Sequence, residues 1–168
     1  KLPKLIITFE KHRLETGGGL KNAIENFKNP NLLVINGDSL LQNNNRYCPI
    51  QNLYSNYKEL DMDVLLLLSE KKNTLGYNGK GDYGKLTYSN ASKLTSKPNS
   101  YTQKYIFTGW QIINKKIMSS FSQKTFSLKK VYDLAEKKGR LYGVIHKGNF
   151  FHIGDPKSFR IVNKLFRL

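Results

Sequence analysis

The chain has 168 residues, of which 39% are hydrophobic and 12% aromatic, and a formal net charge of +16. That length and apolar content exclude a disordered composition and suit one domain with a real core. A single cysteine, Cys48, excludes an intrachain disulfide framework and suits a reducing, cytoplasmic setting, and the longest apolar run, Val64 to Leu68, is strand-sized, so neither a membrane span nor a signal peptide is expected. The lysines are spread thinly, in pairs but in no longer block, and greatly outnumber arginines. Nucleic-acid binders cluster basic residues and mix in arginine, so the charge reads as a compositional bias that still draws phosphorylated substrates to the surface.

In chain order, Leu5-Ile6-Ile7-Thr8-Phe9 reads as a strand. Glu15-Thr16-Gly17-Gly18-Gly19 reads as a glycine-rich turn, and Leu20–Phe27 as the helix it opens. Strand, glycine turn and helix N-terminus in that order make a seat for a phosphate or nucleotide. Lys28-Asn29-Pro30-Asn31 is a turn with a helix-stopping proline. Leu32–Ile35 is a continuous apolar run, hence a strand buried on both faces, ending at Asn36-Gly37-Asp38. Asn43-Asn44-Asn45 is loop, Ile50–Leu60 has helical periodicity, and Val64–Leu68 is a second buried strand.

Between Thr74 and Ser100, glycines interleave with Tyr77, Tyr83 and Tyr88, predicting short antiparallel strands and turns. Tyr105–Thr108 is a strand closed by Gly109, and Ile112–Phe121 is mixed. Ser127–Lys138 is a helix with Ser127 as N-cap and Gly139 just past its end. Leu141–Ile145 and Phe150–Ile153 are strands; Asp155 caps a last helix that starts at Pro156 and reaches Phe166. His12 and His146 read as surface residues and Trp110 as core. The fold class is α/β: a Rossmann-like, mainly parallel sheet flanked by helices, with a small antiparallel excursion.

Five segments in this order carry a family resemblance: Glu15–Gly19; Val34-Ile35-Asn36-Gly37-Asp38; Gly81-Asp82-Tyr83-Gly84-Lys85-Leu86; Tyr105-Ile106-Phe107-Thr108-Gly109-Trp110; and Gly148-Asn149-Phe150-Phe151-His152-Ile153-Gly154-Asp155-Pro156. Together they resemble the sugar-1-phosphate nucleotidyltransferases, on the side of the short bacterial type similar to mannose-1-phosphate guanylyltransferase and N-acetylmuramate-1-phosphate uridylyltransferase. The resemblance implies attack of a sugar-1-phosphate on a nucleoside triphosphate, giving a nucleotide sugar and pyrophosphate, with Mg²⁺ as cofactor. It puts Asp38 on the metal as the catalytic carboxylate, with Gly37 letting the backbone come close. It puts Glu15, Thr16, Gly17, Gly18 and Gly19 around base and ribose, Gly109 against sugar hydroxyls, and Lys97 on the sugar phosphate, with Ser96 where relatives carry an acid.

The chain departs from that pattern twice. His152 stands where the family has its second metal-binding aspartate, and imidazole suits Zn²⁺, Ni²⁺ or Mn²⁺ better than Mg²⁺. The choice is between an altered metal preference and a decayed site, and decay is the simpler reading. The family's opening Gly-x-Gly-x-Arg-x-x-Pro loop is also absent. Residues 1–168 therefore read as a partial nucleotidyltransferase domain, the C-terminal part of the catalytic domain without its first βα units. A bare sheet edge follows, along with little activity alone and a complementing N-terminal fragment as possible partner. The alternatives are a non-catalytic nucleotide- or sugar-binding module and a basic nucleic-acid protein; the spread of lysines argues against the last.

Overall fold

The computed structural model describes residues 4–43, 48–87 and 89–166. The predicted positions Asn44, Asn45 and Tyr88 lie outside the described residues. Among the described residues no helix is long and apolar enough to cross a membrane.

The sheet is built around the most apolar segment. Strand β3, Val64–Ser69, is buried along its whole length. Successive side chains of a strand point to opposite faces, and here that alternation creates two cores. Val64, Leu66 and Leu68 join Ile24, Phe126, Val131, Tyr132 and Ala135 on one face. Leu65 and Leu67 join Leu53, Met62, Ile112 and Val144 on the other. Helices α1 (Glu15–Ala23) and α3 (Lys129–Lys137) lie on the first face and α2 (Pro49–Asn56) on the second.

Strands β1 (Asn31–Ile35), β7 (Lys104–Asn114), β3, β8 (Leu141–Ile145), β6 (Ser92–Thr95) and β5 (Tyr83–Lys85) follow one another across the sheet. β5 also pairs with β7, which closes the last five into a ring. A smaller sheet holds β2 (Ser39–Gln42), β9 (Asn149–His152) and β4 (Thr74–Leu75). Helix α4, Pro156–Phe166, follows β9, and Phe166 packs edge-on against Phe151 at 5.4 Å.

The expected mainly parallel sheet is not what forms: the sheet is mixed. In the larger sheet only β3 and β8 pair in parallel; β1–β7, β3–β7, β6–β8, β5–β6 and β5–β7 are antiparallel. β1, β3 and β8 do run in one direction, as alternating strands and helices imply. β7 inserts between β1 and β3 in the opposite sense, and it is reached through the tyrosine–glycine excursion rather than through a crossover helix.

Other expectations are corrected locally. Leu5–Phe9 forms no strand; Leu5, Ile7 and Phe9 are more than four-fifths exposed, and an isolated apolar run has no ladder to join. β1 is only partly buried because it is an edge strand, with Ile35 at 44% exposure. Glu15–Gly19 is the first part of α1 rather than a turn before it. Gly109 does not end β7 but sits inside it. The helix expected over Ile50–Leu60 is the shorter α2. His146 is fully buried, not at the surface, because it follows β8 directly and its N–H bonds the Leu68 carbonyl at 2.7 Å. Three features form as expected. Gly139 adopts φ 65° after α3, the Asp155 carboxylate accepts the Lys157 and Ser158 N–H groups at 2.9 and 3.0 Å, and Trp110 packs on the second core.

Candidate functional site

The site lies at the carboxyl end of β1, where a bulge in β7 meets the start of the small sheet. β3 and β7 are in register from Val64 with Ile113 to Leu66 with Gln111, and then resume at Leu68 with Phe107. Three residues of β7, Thr108 to Trp110, therefore oppose Leu67 alone. Gly109 takes φ +82° there, in the region open to glycine. A Cβ at Gly109 would lie 2.5 Å from Ser39 Oγ and 2.9 Å from Asn36 Cβ. The bulge is pinned by Thr108, whose hydroxyl donates to the Leu67 carbonyl at 2.9 Å, and by Asn36, whose N–H donates to the Gly109 carbonyl at 3.0 Å. Ser39 Oγ adds a bond to the Thr108 carbonyl.

The small sheet then brings the chain's second landmark against its last. Ser39 is registered opposite His152, and the Ile153 N–H donates to the Asp38 carbonyl at 2.9 Å. Asp38 Oδ2 and His152 Nδ1 face each other at 3.9 Å, both partly exposed. Gly154 packs beside them; a Cβ there would lie 2.8 Å from His152 Nε2 and 3.2 Å from Asp38 Oδ2. Among the described residues no third histidine, cysteine or carboxylate joins the pair.

Two cavities meet at this point. The larger, about 910 Å³, is lined by Glu10, Arg13, Glu15, Thr16, Gly19 and the segment Asn36-Gly37-Asp38, among others. The smaller, about 130 Å³, is lined by Asp38, Tyr77, Gly109 and His152 among others. Asn36 and Asp38 border both. Glu15, Thr16, Gly19, Gly37, Asp38, Gly109 and His152, foreseen from the sequence, are thus brought around one strand end. Glu15 holds φ 59°, uncommon for a residue with a Cβ and concentrated at functional sites when it occurs.

Three foreseen residues fall elsewhere. Gly17 and Gly18 are buried, and their N–H groups both donate to the Phe126 carbonyl, at 2.8 and 3.0 Å. These donors are therefore spent on the protein and seat no phosphate. The glycines instead admit the segment before α3: Cβ atoms would meet the Phe126 ring at 2.5 Å and the Lys124 carbonyl oxygen at about 2.2 Å. Lys97 is exposed and lines a separate groove with Lys129, Asp133 and Glu136. The Glu136 carboxylate there accepts the Ser96 N–H at 2.9 Å.

Sequence reasoning missed Glu10, Arg13 and Tyr77. The Glu10 carboxylate accepts the Leu14 N–H at 3.1 Å and lies over Gly19. Tyr77 donates its hydroxyl to Asp82 Oδ1 at 2.9 Å, while Asp82 Oδ2 accepts the Phe107 N–H at 2.8 Å. Partial burial and the adjacent Asp82 carboxylate push the Tyr77 phenol up to about 12. It therefore stays a neutral donor, and the Gly81-Asp82-Tyr83 landmark serves to hold a cavity wall. Arg13 carried a usable signal, a cation two residues before the glycine segment.

Against proteins of known function, the chain is 25% identical over 162 residues to N-acetylmuramate alpha-1-phosphate uridylyltransferase of Caulobacter vibrioides, covering 93% of the chain and 63% of that enzyme. Among solved structures, HddC from Yersinia pseudotuberculosis superposes with a TM-score of 0.65 at 24% identity, over 94% of this chain and 64% of that one. UDP-glucose pyrophosphorylase complexed with UDP-glucose gives a TM-score of 0.72 at 13% identity, with the same coverage of 94% and 64%. No protein-family model matches. The chain spans a little under two thirds of the length of these relatives. In sequence and in fold the chain is thus similar to sugar-1-phosphate nucleotidyltransferases.

Proposed function

We propose that the cleft at the end of β1 transfers a nucleotidyl group from a nucleoside triphosphate to a sugar-1-phosphate. A phosphate oxygen of the sugar attacks the α-phosphorus, the bond from that phosphorus to the bridging oxygen breaks, and pyrophosphate leaves. The observation that carries this reading is the placement of Asp38 on the seam between the large and small cavities. Two substrates can then meet at one carboxylate, and a reaction between two anions depends mainly on positioning and charge stabilisation.

In this reading Glu15, Thr16 and Gly19 form the wall for base and ribose. Gly37, whose Cβ direction is open, lets the triphosphate lie against the backbone. Gly109 exposes the bulged backbone to sugar hydroxyls, and the Tyr77 phenol oxygen, its proton given to Asp82, accepts from them in the same cavity. Gly17 and Gly18 act indirectly by holding α1 in place. Lys97 receives no role, because its groove shares no lining residue with either cavity.

The family's ion, Mg²⁺, asks for an octahedral shell of hard oxygens. One carboxylate and one imidazole do not make that shell. The edge of β1 away from β7 carries no strand among the described residues. We place a complementing segment, one that bears a phosphate-binding loop, on that edge as the partner.

The test is pyrophosphate release from UTP, GTP, CTP and dTTP, each with a panel of hexose-1-phosphates, with and without such a segment supplied in trans. Release is expected to require both substrates and to fall about 100-fold in Asp38→Asn. No release in either arm, or release indifferent to Asp38, contradicts the assignment. Nucleotide binding without turnover in both arms would favour a binding module instead.

A further inference from the structure

We propose that Asp82 is a positioning residue that sets which sugars the smaller cavity accepts. By taking the Tyr77 hydroxyl proton it completes a wall of hydrogen-bond acceptors. That wall selects a sugar edge with free hydroxyls and rejects one that carries fluorine or an ether. The proposal rests on the nucleotidyl-transfer reading only for the ligand being a sugar phosphate.

The wall follows from where the protons go. Among the described residues, the hydroxyls lining the cavity of about 130 Å³ are those of Ser39, Tyr77 and Thr108. Each donates to the protein: Ser39 to the Thr108 carbonyl, Thr108 to the Leu67 carbonyl at 2.9 Å, and Tyr77 to Asp82 Oδ1 at 2.9 Å. A hydroxyl whose proton is committed can only accept from a ligand. The Asp38 carboxylate on the same lining is an acceptor too, and Asn36 and His152 are the other polar side chains there. A ligand edge in this cavity therefore meets oxygen lone pairs on several sides, and their complement is a set of O–H donors.

Asp82 keeps the Tyr77 bond from turning round. Its second oxygen, Oδ2, accepts the Phe107 N–H at 2.8 Å. β5 pairs with β7 at Tyr83 with Tyr105 and Gly84 with Lys104, so Phe107 lies past the end of that ladder and takes a side-chain acceptor instead. The Phe107 donor belongs to the main chain and cannot reverse, which commits Oδ2 to β7 and leaves Oδ1 for Tyr77. Tyr77 is carried from its other side by β4, where Leu75 is registered with Phe151. The Gly81 N–H faces the phenol oxygen as well, which leaves one lone pair for a ligand.

This chemistry separates positioning from support. Asparagine has the shape of aspartate but one acceptor and one donor. In Asp82→Asn the Phe107 N–H claims the amide oxygen, so the amide NH₂ faces Tyr77 and the Tyr77 hydroxyl turns its proton toward the cavity. The substitution inverts the polarity of the wall at Tyr77, whereas Tyr77→Phe removes it.

The experiment measures binding to the full chain by NMR. The probes are the 1-phosphates of glucose, mannose and N-acetylglucosamine, each beside its monodeoxyfluoro analogues. Fluorine is close to hydroxyl in size and donates nothing. At least one parent sugar is expected to perturb Tyr77 and Gly109 and to bind at least about tenfold tighter than one of its fluoro analogues. In Asp82→Asn and in Tyr77→Phe that ratio should fall to about threefold or less. In the free protein Asp82→Asn should shift the Tyr77 Cζ resonance and leave the Phe107 amide proton at its hydrogen-bonded position. An Asp82 that only supports the fold would weaken parent and fluoro sugars alike in Asp82→Asn, and an unchanged ratio there overturns the proposal. So does a wild-type ratio near one for every analogue, or no sugar phosphate reaching Tyr77. None of these readouts uses pyrophosphate release, which tests the transfer reading separately.

Discussion

Gly109 and Gly37 border the same strand end and owe their lack of a side chain to different things. Gly109 combines a positive φ with backbone and side chains inside van der Waals distance of any Cβ. Gly109→Ala is therefore expected to lose about 1–2 kcal/mol from φ alone, with more from displacing Ser39 and Asn36. Gly37 has open space in its Cβ direction and ordinary φ. Gly37→Ala should change stability by less than about 0.5 kcal/mol while weakening nucleotide binding. Denaturant titration of both variants, with and without nucleotide, separates the two roles. His146 gives a third test. Burial lowers its pKa from 6.5, so the unfolded chain takes up the proton first. Stability should hold above pH 6.5 and decline as pH falls below it. His146→Gln should flatten that limb of the pH–stability curve, and an unchanged slope in the variant would refute the assignment.

At the level of elements, the glycine segment of α1 is a packing device that also borders a site. Gly17→Ala and Gly18→Ala would drive a Cβ into Phe126 and Lys124. Each is expected to cost about 1–3 kcal/mol and to raise amide exchange in α1 and α3 together. The cap of α4 is chemical. Hydrogen bonds from the Ser158 hydroxyl and N–H hold the Asp155 carboxyl below its ordinary value of 3.8. Its stabilising effect is full above that value and fades as pH falls below it, so Asp155→Ala should speed exchange in α4 at neutral pH and abolish its acid dependence. What the sequence made legible here follows a physical rule. β3, β8, α3 and α4 were readable because continuous apolar runs, caps and a helix-ending glycine are local signals. Leu5–Phe9 forms no strand, and the strand read at Leu32–Ile35 is an edge rather than buried on both faces, because an apolar run does not say whether a second strand lies beside it. Gly109 was read as a strand end because glycine marks both termini and bulges.

For the whole molecule, the illegible feature was pairing. β1, β3 and β8 share a direction, but nothing local announces that β7 runs between β1 and β3 the other way. The same insertion makes the site, since the β7 bulge and the β2–β9 ladder bring residues 43 to 114 positions apart, Gly109, Asp38 and His152, to one point. Seven of the ten expected site residues are gathered there; Gly17 and Gly18 instead pack on the segment before α3, and Lys97 lines a separate groove. The central claim is that the cleft on either side of Asp38 is a nucleotide site. Chemical-shift mapping of the full chain with UTP, GTP, CTP and dTTP tests it most directly. At least one triphosphate is expected to perturb Glu15, Thr16, Gly19, Gly37 and Asp38 at millimolar concentration or below, and Gly37→Leu to weaken that binding without unfolding the protein. Perturbations confined to the Lys97 groove, or none with any of the four nucleotides, would contradict it.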